Sequence, residues 1–596
     1  MPEIMEILRA ILNPTSLTAP ELIQHMRDMV QSEVAAQRAE FSRRMARPVE
    51  KRVSDGWCLS GLGWRKCEAG DASIAEFSLH EGNDSRLREG DYVRLSSPGG
   101  GDAVQQATIY REEENALWLK LREGVWDELW LTGPGARCLV DADFLDMEPF
   151  YQRALEAVSQ TSIGRECILP FLEQTEKEEA ADFLEEHEKL ADTQMNERQK
   201  DAVAECLAAP RCHLVQGPPG TGKTRALAEM VTRCVREGER VLITSFTHRA
   251  IHHALDAVVK FMGEPERVVK IGAPVYARGS AWKNFDRFRD CPLAQSDDGW
   301  VVGATPFVLA SRVKNVEFDR IIVDEAGQMT MPLALMAMLS GRRWCFFGDG
   351  EQLGPVLTSL NPRDSREWSC FRMLSKLTRT TMLNTGYRMN AALTCWPSET
   401  FYGGELQAAS GVAERRLTLP LPVAEEGLAA VLDPAHPLVW VAFDHGDGTV
   451  MQNDEAVAAA RLVQALVRGG VAAEEIAVVV PWRKQARRIR HHLRGRLTED
   501  AARLCVVDTV ERMQGQEREV VIVSMACSEA MFLARHAGFI YQPNRLNVAI
   551  TRARTKAIIL ASTLLADFSP DGWETVEDAA VFSSLLQSAT RLDHGF

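Results

Sequence analysis

A glycine-rich segment constrains the fold of this 596-residue chain more than any other feature. It runs from Gly217 to Thr224, after an apolar run that ends at Val215 and before a helical pattern from Arg225 to Val235. A strand, a glycine-rich turn and a helix in this order form a phosphate-binding P-loop, because glycine lets backbone N–H groups turn inward at a helix N-terminus. The sequence therefore predicts a parallel α/β sheet around this loop.

The residue types inside the loop fit a nucleoside triphosphate with Mg²⁺. Lys223 would neutralise phosphate charge, and the hydroxyl of Thr224 would be a Mg²⁺ ligand. The predicted phosphate cradle comprises Gly217, Gly220, Thr221 and Gly222. ATP and Mg²⁺ are therefore the predicted cofactors.

A P-loop of this kind needs a carboxylate at the end of a neighbouring strand. The apolar run from Arg320 to Val323 predicts such a strand, and Asp324 and Glu325 follow it. Asp324 would hold Mg²⁺ through water, while Glu325 would orient or deprotonate the attacking water. An isolated Asp-Glu pair is usually a solvated turn, but its position after a P-loop favours catalysis. Another apolar run precedes Gln352, which could sense the γ-phosphate, although this segment alone would be interpreted as a loop.

Apolar runs alternate with helical patterns from residue 212 onward. The first set comprises Cys212–Val215, Arg240–Ile243, Trp300–Val302, Arg320–Val323 and Trp344–Phe347. The second set comprises Leu438–Val441, Ile476–Val480, Cys505–Val507, Val520–Val523 and Ala557–Leu560. Such alternation is typical of parallel sheets, and two sets in series predict two tandem α/β domains.

The N-terminal part of the chain has a different pattern. Apolar residues at helical spacing predict a helix over residues 20–47, which Pro48 ends. Short alternating segments then predict a small antiparallel barrel or sandwich over residues 56–145, with one strand at Leu129–Leu131. An acid-rich stretch over residues 173–190 is interpreted as a solvated helical connector, with an acidic partner-binding patch as the alternative.

Composition narrows the class of protein. The net charge of −15 argues against a protein that coats DNA non-specifically, but a local basic channel is compatible with it. The 13 cysteines include no Cys-x-x-Cys pair, which argues against a zinc ribbon or an iron–sulfur cluster. No apolar run reaches membrane-spanning length, and the acidic N-terminal residues do not form a secretory signal, so a cytoplasmic location without membrane attachment is expected.

Six motifs stand in an order that resembles superfamily 1B helicases. They are Gly217–Thr224, Asp324–Gln328, Gly348–Val356, Gly386–Met389, Thr509–Glu517 and Asn547–Arg554. The sequence is most similar to the branch that contains the nonsense-mediated-decay helicase, senataxin and the immunoglobulin-mu-binding helicase. The Leu-x-Pro-Val segment that starts at Leu353 distinguishes this branch from the Rep-type branch, and the similarity covers residues from about 20 to about 565.

The resemblance implies both a fold and an activity. The implied fold is α/β: two tandem RecA-like P-loop domains, residues 191–375 and 376–596, after a helical stalk and small β-barrel within residues 1–190. The implied activity is ATP-driven translocation on single-stranded DNA or RNA, 5′ to 3′ and with unwinding, by a monomeric motor. One alternative is a nucleic-acid-binding switch that uses ATP without unwinding. Another is a ring-forming AAA+ ATPase, against which the second α/β set argues.

The resemblance also implies roles around the nucleotide. Gln199 matches a glutamine that reads adenine, and Tyr387 matches an aromatic residue that stacks on it. Arg388 and Arg552 would reach from the second domain to the γ-phosphate, as arginine fingers do, so that hydrolysis depends on domain closure. Glu517 would bind the ribose hydroxyls. Without the resemblance, Tyr387 would be interpreted as a core aromatic and each arginine as a surface residue.

Nucleic-acid contacts are implied at loops that follow predicted strands. Hydroxyl groups at helix starts can hold phosphates. The implied contacts are Ser245, Thr247, Thr305, Thr509, Arg483 and Lys484. The last two open a basic stretch that extends to Arg496, for which an ordinary charged helix face is the alternative.

Three positions depart from the branch. His248 stands where the branch usually has Asn, Gly350 and Glu351 replace a His-Lys pair, and Met513 replaces a Phe. None of these positions contributes directly to the predicted hydrolysis of ATP. They bear on contacts with the nucleic-acid strand and on the coupling of hydrolysis to movement.

Overall fold

The computed structural model describes nearly all of the chain outside the N-terminal 17 residues. The described residues are 18–79, 83, 85–96, 104–113, 115–126, 137–174, 183–273, 279–314 and 316–596. The predicted strand at Leu129–Leu131 and part of the acid-rich stretch lie outside them.

Two helices form the N-terminal stalk: α1 (Ala19–Met45) and α2 (Val49–Ser54). The predicted helix over residues 20–47 is thus confirmed, with a short non-helical link before α2. Glu21 stabilises the start of α1, because its carboxylate accepts a hydrogen bond from the Thr18 N–H at 2.8 Å. The buried side of α1, which includes Met26 and Val30, belongs to the same core as one face of the first large sheet.

Six antiparallel strands close into a barrel after the stalk. They are β1 (Cys58–Glu68), β2 (Asp71–Ser78), β3 (Tyr92–Ser96), β4 (Gln105–Glu113), β5 (Ala116–Leu121) and β6 (Arg137–Ala142), in the order β1-β2-β5-β4-β3-β6. Alternate residues point inward, so that Phe77, Val93, Ile109 and Leu119 fill the interior.

A buried ion pair attaches the barrel to the stalk. The guanidinium of Arg52 on α2 donates to both carboxylate oxygens of Asp141 on β6, at 2.8 and 3.0 Å. Both side chains are at most 9% exposed. Arg52 also donates to the backbone carbonyls of Met45 and Arg47, so it fixes the turn between α1 and α2.

The first α/β unit is built on a sheet of eight parallel strands. They are β7 (Cys212–Gln216), β8 (Arg240–Thr244), β9 (Val268–Ile271), β10 (Lys283–Phe285), β11 (Trp300–Gly303), β12 (Arg320–Val323), β13 (Trp344–Gly348) and β14 (Thr380–Met382), in the order β10-β9-β11-β8-β12-β13-β7-β14. Its helices, with those that precede it, are α3 (Glu148–Gln160), α4 (Leu169–Leu172), α5 (Phe183–Glu188), α6 (Glu197–Ala208), α7 (Lys223–Arg236), α8 (His248–Met262), α9 (Pro306–Arg312), α10 (Met331–Met338), α11 (Pro362–Glu367) and α12 (Cys370–Leu374). Helices cover both faces of the sheet, which explains why its central strands are apolar throughout.

The second α/β unit has a sheet of six parallel strands. They are β17 (Leu438–Phe443), β18 (Ile476–Val480), β19 (Val506–Thr509), β20 (Arg518–Ser524), β21 (Ala553–Ser562) and β22 (Thr590–Asp593), in the order β19-β18-β20-β21-β17-β22, and β15 (Thr385–Gly386) pairs with β16 (Gln407–Ala408) beside it. Its helices are α13 (Ala391–Phe401), α14 (Ser410–Ala413), α15 (Glu426–Val431), α16 (Asn453–Arg468), α17 (Arg483–Arg494), α18 (Glu499–Leu504), α19 (Val510–Met513), α20 (Ala530–Ile540), α21 (Pro543–Ile550), α22 (Thr563–Asp567) and α23 (Trp573–Gln587). Two parallel sheets in series confirm the predicted α/β fold class.

One contact joins the stalk to a loop of the first α/β unit. Glu33 of α1 is only 6% exposed, and its carboxylate accepts three hydrogen bonds from this loop. The donors are the N–H of Thr358 at 2.8 Å and the N–H and hydroxyl of Ser359 at 2.9 and 2.7 Å. The loop that follows β13 is therefore bonded directly to the stalk.

None of the described helices combines the length and the apolar character that crossing a membrane requires.

The buried pair of Arg52 and Asp141 gives a test of how the barrel is attached. Replacing Arg52 by Ala leaves a buried carboxylate without its ion-pair partner, which should destabilise the barrel by about 3 kcal/mol. Arg65→Ala removes an exposed ion pair with Glu76 and should cost less than about 1 kcal/mol. Hydrogen exchange of the β6 amides measures the free energy of opening in each variant. Equal protection in the two variants would contradict the role given to Arg52.

Candidate nucleotide-binding site

The glycine-rich loop connects β7 to α7 and adopts a backbone that requires glycine. Gly220 and Gly222 have φ angles of +77° and +81°. A Cβ atom at Gly220 would lie 2.4 Å from the Cβ of Arg388, so there is no room for a side chain there. The N–H of Gly217 donates to the carbonyl of Gly348 at 2.8 Å, which attaches the loop to the neighbouring strand β13.

Lys223 forms the centre of a buried charge cluster. Its Nζ lies 2.9 Å from Oε1 of Glu325 and 3.3 Å from Oδ1 of Asp324. Both carboxylates follow β12, and Glu325 has a left-handed backbone with φ of +54°. This strained conformation at the strand end turns the Glu325 side chain toward the loop instead of continuing the strand.

Within this cluster the pKa values of the two acids shift in opposite directions. Burial raises the pKa of Asp324 more than Lys223 lowers it. For Glu325, burial is outweighed by Lys223, so that the pKa falls below its usual value. The pKa of Lys223 is raised, because the two carboxylates outweigh its burial. Glu325 therefore carries a full negative charge at neutral pH.

A cavity of about 1010 Å³ lies between the two α/β units at this point. Residues of both units line it. The predicted site residues among them are Gly217, Gly220, Thr221, Gly222, Lys223, Thr224, Thr247, Asp324, Glu325, Gln352, Tyr387, Arg388, Glu517 and Arg552. Folding thus brings together residues that are more than 300 positions apart in the sequence.

Gln199 lies elsewhere, behind the P-loop and only 2% exposed. Its Nε2 donates to the carbonyl of Thr221 at 2.9 Å, and its Oε1 accepts from the N–H of Asn196 at 3.2 Å. The side chain therefore braces the P-loop against the start of α6. Adenine recognition by Gln199 stays a prediction from the resemblance.

Tyr387 and Arg388 place the second α/β unit against the P-loop. The N–H of Tyr387 donates to the carbonyl of Gly220 at 2.7 Å, and its ring is 45% exposed at the cavity. Nε of Arg388 donates to Glu517 at 2.8 Å. The carboxylate predicted to bind ribose is thus an ion-pair partner of the predicted arginine finger.

Arg552 approaches from the same side and is buried. Its Nη2 donates to Oε1 of Gln352 at 3.1 Å, which joins the second unit to the loop after β13. Burial, with the charge of Arg388 nearby, lowers the pKa of Arg552 to about 9. An anion in the cavity would restore a favourable environment for both guanidinium groups.

Sequence reasoning missed the residues that hold Gln352 in place. Asp349 is buried, and its Oδ2 accepts from Nε2 of Gln352 at 2.8 Å and from the hydroxyl of Tyr402 at 2.7 Å. Asn547 donates to the Tyr402 oxygen at 3.0 Å and to the carbonyl of Glu351 at 2.8 Å. Tyr402 and Asn547 belong to the second unit, so these bonds cross between the units. Asp349 and Asn547 lie inside motifs named above, although without an assigned role, whereas Tyr402 stands in a segment without a local signal.

The hydroxyl residues predicted to bind nucleic acid occupy the ends of parallel strands. Thr247, Thr305 and Thr509 are the N-cap residues of α8, α9 and α19. Ser245 is fully buried, and its Oγ is without a hydrogen-bond partner in the structure. Thr305 and Thr509 are also buried, whereas Thr247 is exposed, and contact of these residues with phosphate stays a prediction.

The basic stretch on α17 is used partly inside the protein. Nη1 of Arg483 donates to the carbonyl of Ser85 in the barrel at 2.8 Å, whereas Lys484 is exposed. Burial, with Arg512, Arg88 and Arg86 nearby, lowers the pKa of Arg483 to about 10. Arg483 is therefore not a freely solvated side chain: it belongs to a cluster of four arginines between the barrel and the second unit.

The residues of the cavity fit Mg²⁺-ATP. A Cβ atom at any of the three loop glycines would clash with a neighbouring side chain. Lys223 and Thr224 stand at the N-terminus of a 14-residue helix. Asp324 and Glu325 provide oxygen atoms of the kind that Mg²⁺ prefers.

The fold and the site together define a P-loop protein with two RecA-like halves. The first half carries the P-loop and the carboxylate pair, and the second half carries the two arginines. Two family models, both described as AAA domain, match the chain over residues 194–286 with 301–360 and over residues 367–564. Together they cover both halves of the cavity.

Three curated relatives support the same assignment. The DNA replication ATP-dependent helicase/nuclease dna2 of Schizosaccharomyces pombe is 26% identical, over 62% of this chain and 28% of the relative. The regulator of nonsense transcripts 1 homolog of Arabidopsis thaliana is 26% identical, over 82% and 43%. The DNA-binding protein SMUBP-2 of Mesocricetus auratus is 25% identical, over 68% and 45%. The chain belongs to the superfamily 1 helicase group, in the branch of the regulator of nonsense transcripts 1. It spans less than half of the length of these relatives.

The hydroxyl of Tyr402 gives a test of the bonds around Gln352. Tyr402→Phe removes one donor from Asp349 and weakens the attachment of the Gln352 loop to the second unit, which Asn547 and Arg552 still contact. We expect kcat for ATP hydrolysis to fall by about tenfold, which corresponds to the loss of one buried hydrogen bond to a charged group, with KM for ATP nearly unchanged. Steady-state kinetics measures both constants.

The matched control is Tyr541→Phe. The Tyr541 hydroxyl is also buried in the second unit and donates to the carbonyl of Leu565 at 2.8 Å, away from the cavity. Equal effects on kcat in the two variants would show that Tyr402 only stabilises the fold.

Proposed function

We propose that this chain is an ATP-dependent motor that translocates on single-stranded nucleic acid in the 5′-to-3′ direction and unwinds duplexes. The observation that carries the proposal is the shared cavity, in which the P-loop and Glu325 of one RecA-like half face Arg388 and Arg552 of the other. We assign the stalk and barrel to residues 1–190 and the two RecA-like domains to residues 191–375 and 376–596.

Each residue of the cavity has a defined task in this proposal. When bound, Mg²⁺-ATP supplies the phosphoanhydride bond that is cleaved and the divalent charge that neutralises its phosphates. Lys223 and the N-terminus of α7 hold the phosphates, while Thr224 and Asp324 hold the metal. Glu325 is ionised, so one of its carboxylate oxygens can accept a proton from the attacking water.

The arginines make turnover depend on the contact between the two halves. Arg388 and Arg552 belong to the second half and stabilise negative charge on the phosphates only when the halves are close. Gln352 bonds to Arg552 and, through Asp349, to Tyr402. A change in the phosphates is therefore transmitted to the contact between the halves, which is what a motor requires.

Two features support a nucleic acid as the track. The cluster of Arg86, Arg88, Arg483 and Arg512 concentrates positive charge, part of which Asp508 balances through its ion pair with Arg512 at 3.4 Å, and a polyanion would neutralise the rest. The hydroxyl of the exposed Thr247 and the helix starts at Thr305 and Thr509 offer contacts that do not depend on base sequence. The relatives named above include a helicase and a DNA-binding protein, which agrees with this class of substrate.

The departure at Glu351 bears on the alternative of a switch that does not unwind. Its carboxylate pairs with Arg372 at 2.9 Å and lies 3.8 Å from Arg366, so local arginines balance its charge. Its carbonyl still accepts the bond from Asn547. The coupling loop therefore keeps its contact with the second half, which favours a motor.

The role of Glu325 is tested by Glu325→Gln. We expect ATP turnover to fall by a factor of about 10² to 10⁴, because the amide cannot accept a proton from water. ATP should still bind, since Lys223, Thr224 and Asp324 are retained. Phosphate release and binding of a fluorescent ATP analogue measure the two properties, with Glu414→Gln as an exposed control. Wild-type turnover in Glu325→Gln would reject the assignment.

The motor itself is tested with nucleic acid. Single-stranded DNA and RNA of equal length should each be added to the wild-type protein, and at least one should stimulate ATP turnover. Binding should weaken with salt, with about −0.7 in the log–log slope for each phosphate neutralised on a single strand. A tailed duplex separates motor from switch: ATP-dependent strand release from a 5′ tail supports the motor, and stimulated turnover without release supports the switch.

A further inference from the structure

A second set of contacts joins the two RecA-like halves outside the nucleotide cavity. It lies between the short helix α11 of the first half and the helices α21 and α23 of the second half. We call it the outer latch, and its polar residues are Arg363, Arg366, Asn544, Glu574, Glu577 and Asp578. None of these six residues lines the cavity, so a bound nucleotide would not contact them.

Arg363 forms the outermost connection of the outer latch. Its Nη2 lies 2.9 Å from Oε2 of Glu577, and its Nη1 donates to the backbone carbonyl of Glu574 at 3.2 Å. The bond with Glu577 is the main reason why the pKa of Arg363 is raised. The side chains of Arg363 and Glu577 are 40% and 47% exposed, so this ion pair is weak when taken alone.

Arg366 connects the same helix to the loop that carries Gln352. Its Nη1 donates to Oδ1 of Asn544 at 2.6 Å, and Nδ2 of Asn544 donates to the carbonyl of Gln352 at 2.7 Å. Asn544 belongs to the second half and is only 2% exposed. A Cβ atom at Gly354 would lie 3.0 Å from the Cα of Arg366, so α11 packs closely on this loop. The outer latch therefore holds the Gln352 loop through a buried residue of the opposite half.

Opposite charges face each other across the outer latch. The three carboxylates of α23 lie within five residues and repel one another, and the two arginines of α11 relieve this repulsion. Burial raises the pKa of Asp578 against the opposing effect of both arginines. Asp364 of α11 weakens the attraction, since burial and the charge of Glu574 raise its pKa. The attraction is thus shared among several groups, and separating the halves would leave the acids of α23 without their counter-charges.

Helix α23 is anchored in the second half and lies beyond the residues that the family models match. Its inner side, which includes Phe582 and Leu585, belongs to the core of the second half. Nε1 of Trp396 donates to the hydroxyl of Ser584 at 3.0 Å. The matched region ends at residue 564, whereas α23 begins at Trp573. The first two turns of α23 therefore reach the first half from a rigid base, as an addition to the matched domain.

We propose that the outer latch is a pivot about which the two halves close on ATP, and that it keeps them in contact between one ATP and the next. The contacts of Tyr387 and Arg552 with the first half lie at the nucleotide cavity, so they respond to the phosphates. The outer latch lies outside the cavity and can stay closed throughout the cycle. In this role Arg363 and Glu577 are positioning residues. The inference rests on the proposed function, because it assumes that ATP closes the halves.

The test reverses one charge of the outer latch and then restores an ion pair. In Glu577→Arg two guanidinium groups face each other, so the nucleotide-free protein should be open for more of the time. ATP binds productively only when the halves can meet, so KM for ATP should rise about fivefold. Saturating ATP still closes the halves, so kcat should stay within about twofold. Adding Arg363→Glu to this variant should bring KM back to within about threefold of the wild-type value.

The matched control is Glu317→Arg. Glu317 pairs with Arg342 at 2.7 Å, and their side chains are 49% and 41% exposed, nearly as in the pair of Arg363 and Glu577, but both residues belong to the first half. The control should keep the wild-type KM. An unchanged KM in Glu577→Arg would overturn the proposal, as would an equal rise in the control or no recovery in the double variant.

Small-angle X-ray scattering measures the opening itself. Without nucleotide, the radius of gyration should be larger in Glu577→Arg than in the wild type, and Mg²⁺ with a non-hydrolysable ATP analogue should restore the wild-type value. Equal radii without nucleotide would reject the outer latch. The scattering needs no turnover, so a wild-type protein that hydrolyses no ATP would reject the proposed motor while the radii still decide on the latch.

Discussion

The arrangement of the two RecA-like halves depends on the hydrogen bonds of the buried carboxylate of Asp349. Asp349 follows the strand next to the P-loop strand, and burial raises its pKa against the opposing effect of its hydrogen bonds with Gln352 and Tyr402. Three of its donors belong to its own half: the side chains of Gln352 and Gln216 and the N–H of Glu351. The fourth, the hydroxyl of Tyr402, belongs to the second half, so this bond holds the two halves in register. This register sets the positions of the P-loop and Glu325 relative to the two arginines.

The sequence predicted the parts of the fold in which local chemistry is unambiguous. The central strands are apolar runs such as Ile476–Val480 and Arg320–Val323, whose observed bounds match the prediction. In the two α/β units, the strands that were not predicted are short, and most lie at or near a sheet edge: Val268–Ile271, Lys283–Phe285, Thr380–Met382 and Thr590–Asp593. These strands form because they pair with a neighbouring strand. They contain polar residues such as the buried Lys270, so their hydropathy pattern does not predict a strand.

The same distinction holds for the candidate site. Nearly all of the ATP-site residues that the motifs predicted line one cavity, because a P-loop and a strand-end acid have recognisable local contexts. The bonds of Gln199 with Thr221 and of Arg483 with Ser85 depend on how distant elements pack, as does the position of Tyr402. No local pattern encodes such contacts, so only the folded chain reveals them.

The bond between Glu33 and the loop at Thr358 and Ser359 has a mechanical consequence. This loop is continuous with Gln352, and Glu33 lies within a rigid helix of 27 residues, about 40 Å long, that leads to the barrel. Residues up to Val34 of this helix pack into the core of the first α/β unit, so only its second half projects from that unit toward the barrel. The stalk is thus a cantilever that is anchored in the first unit, and its stiffness sets how far the barrel can move relative to the hydrolysis loop.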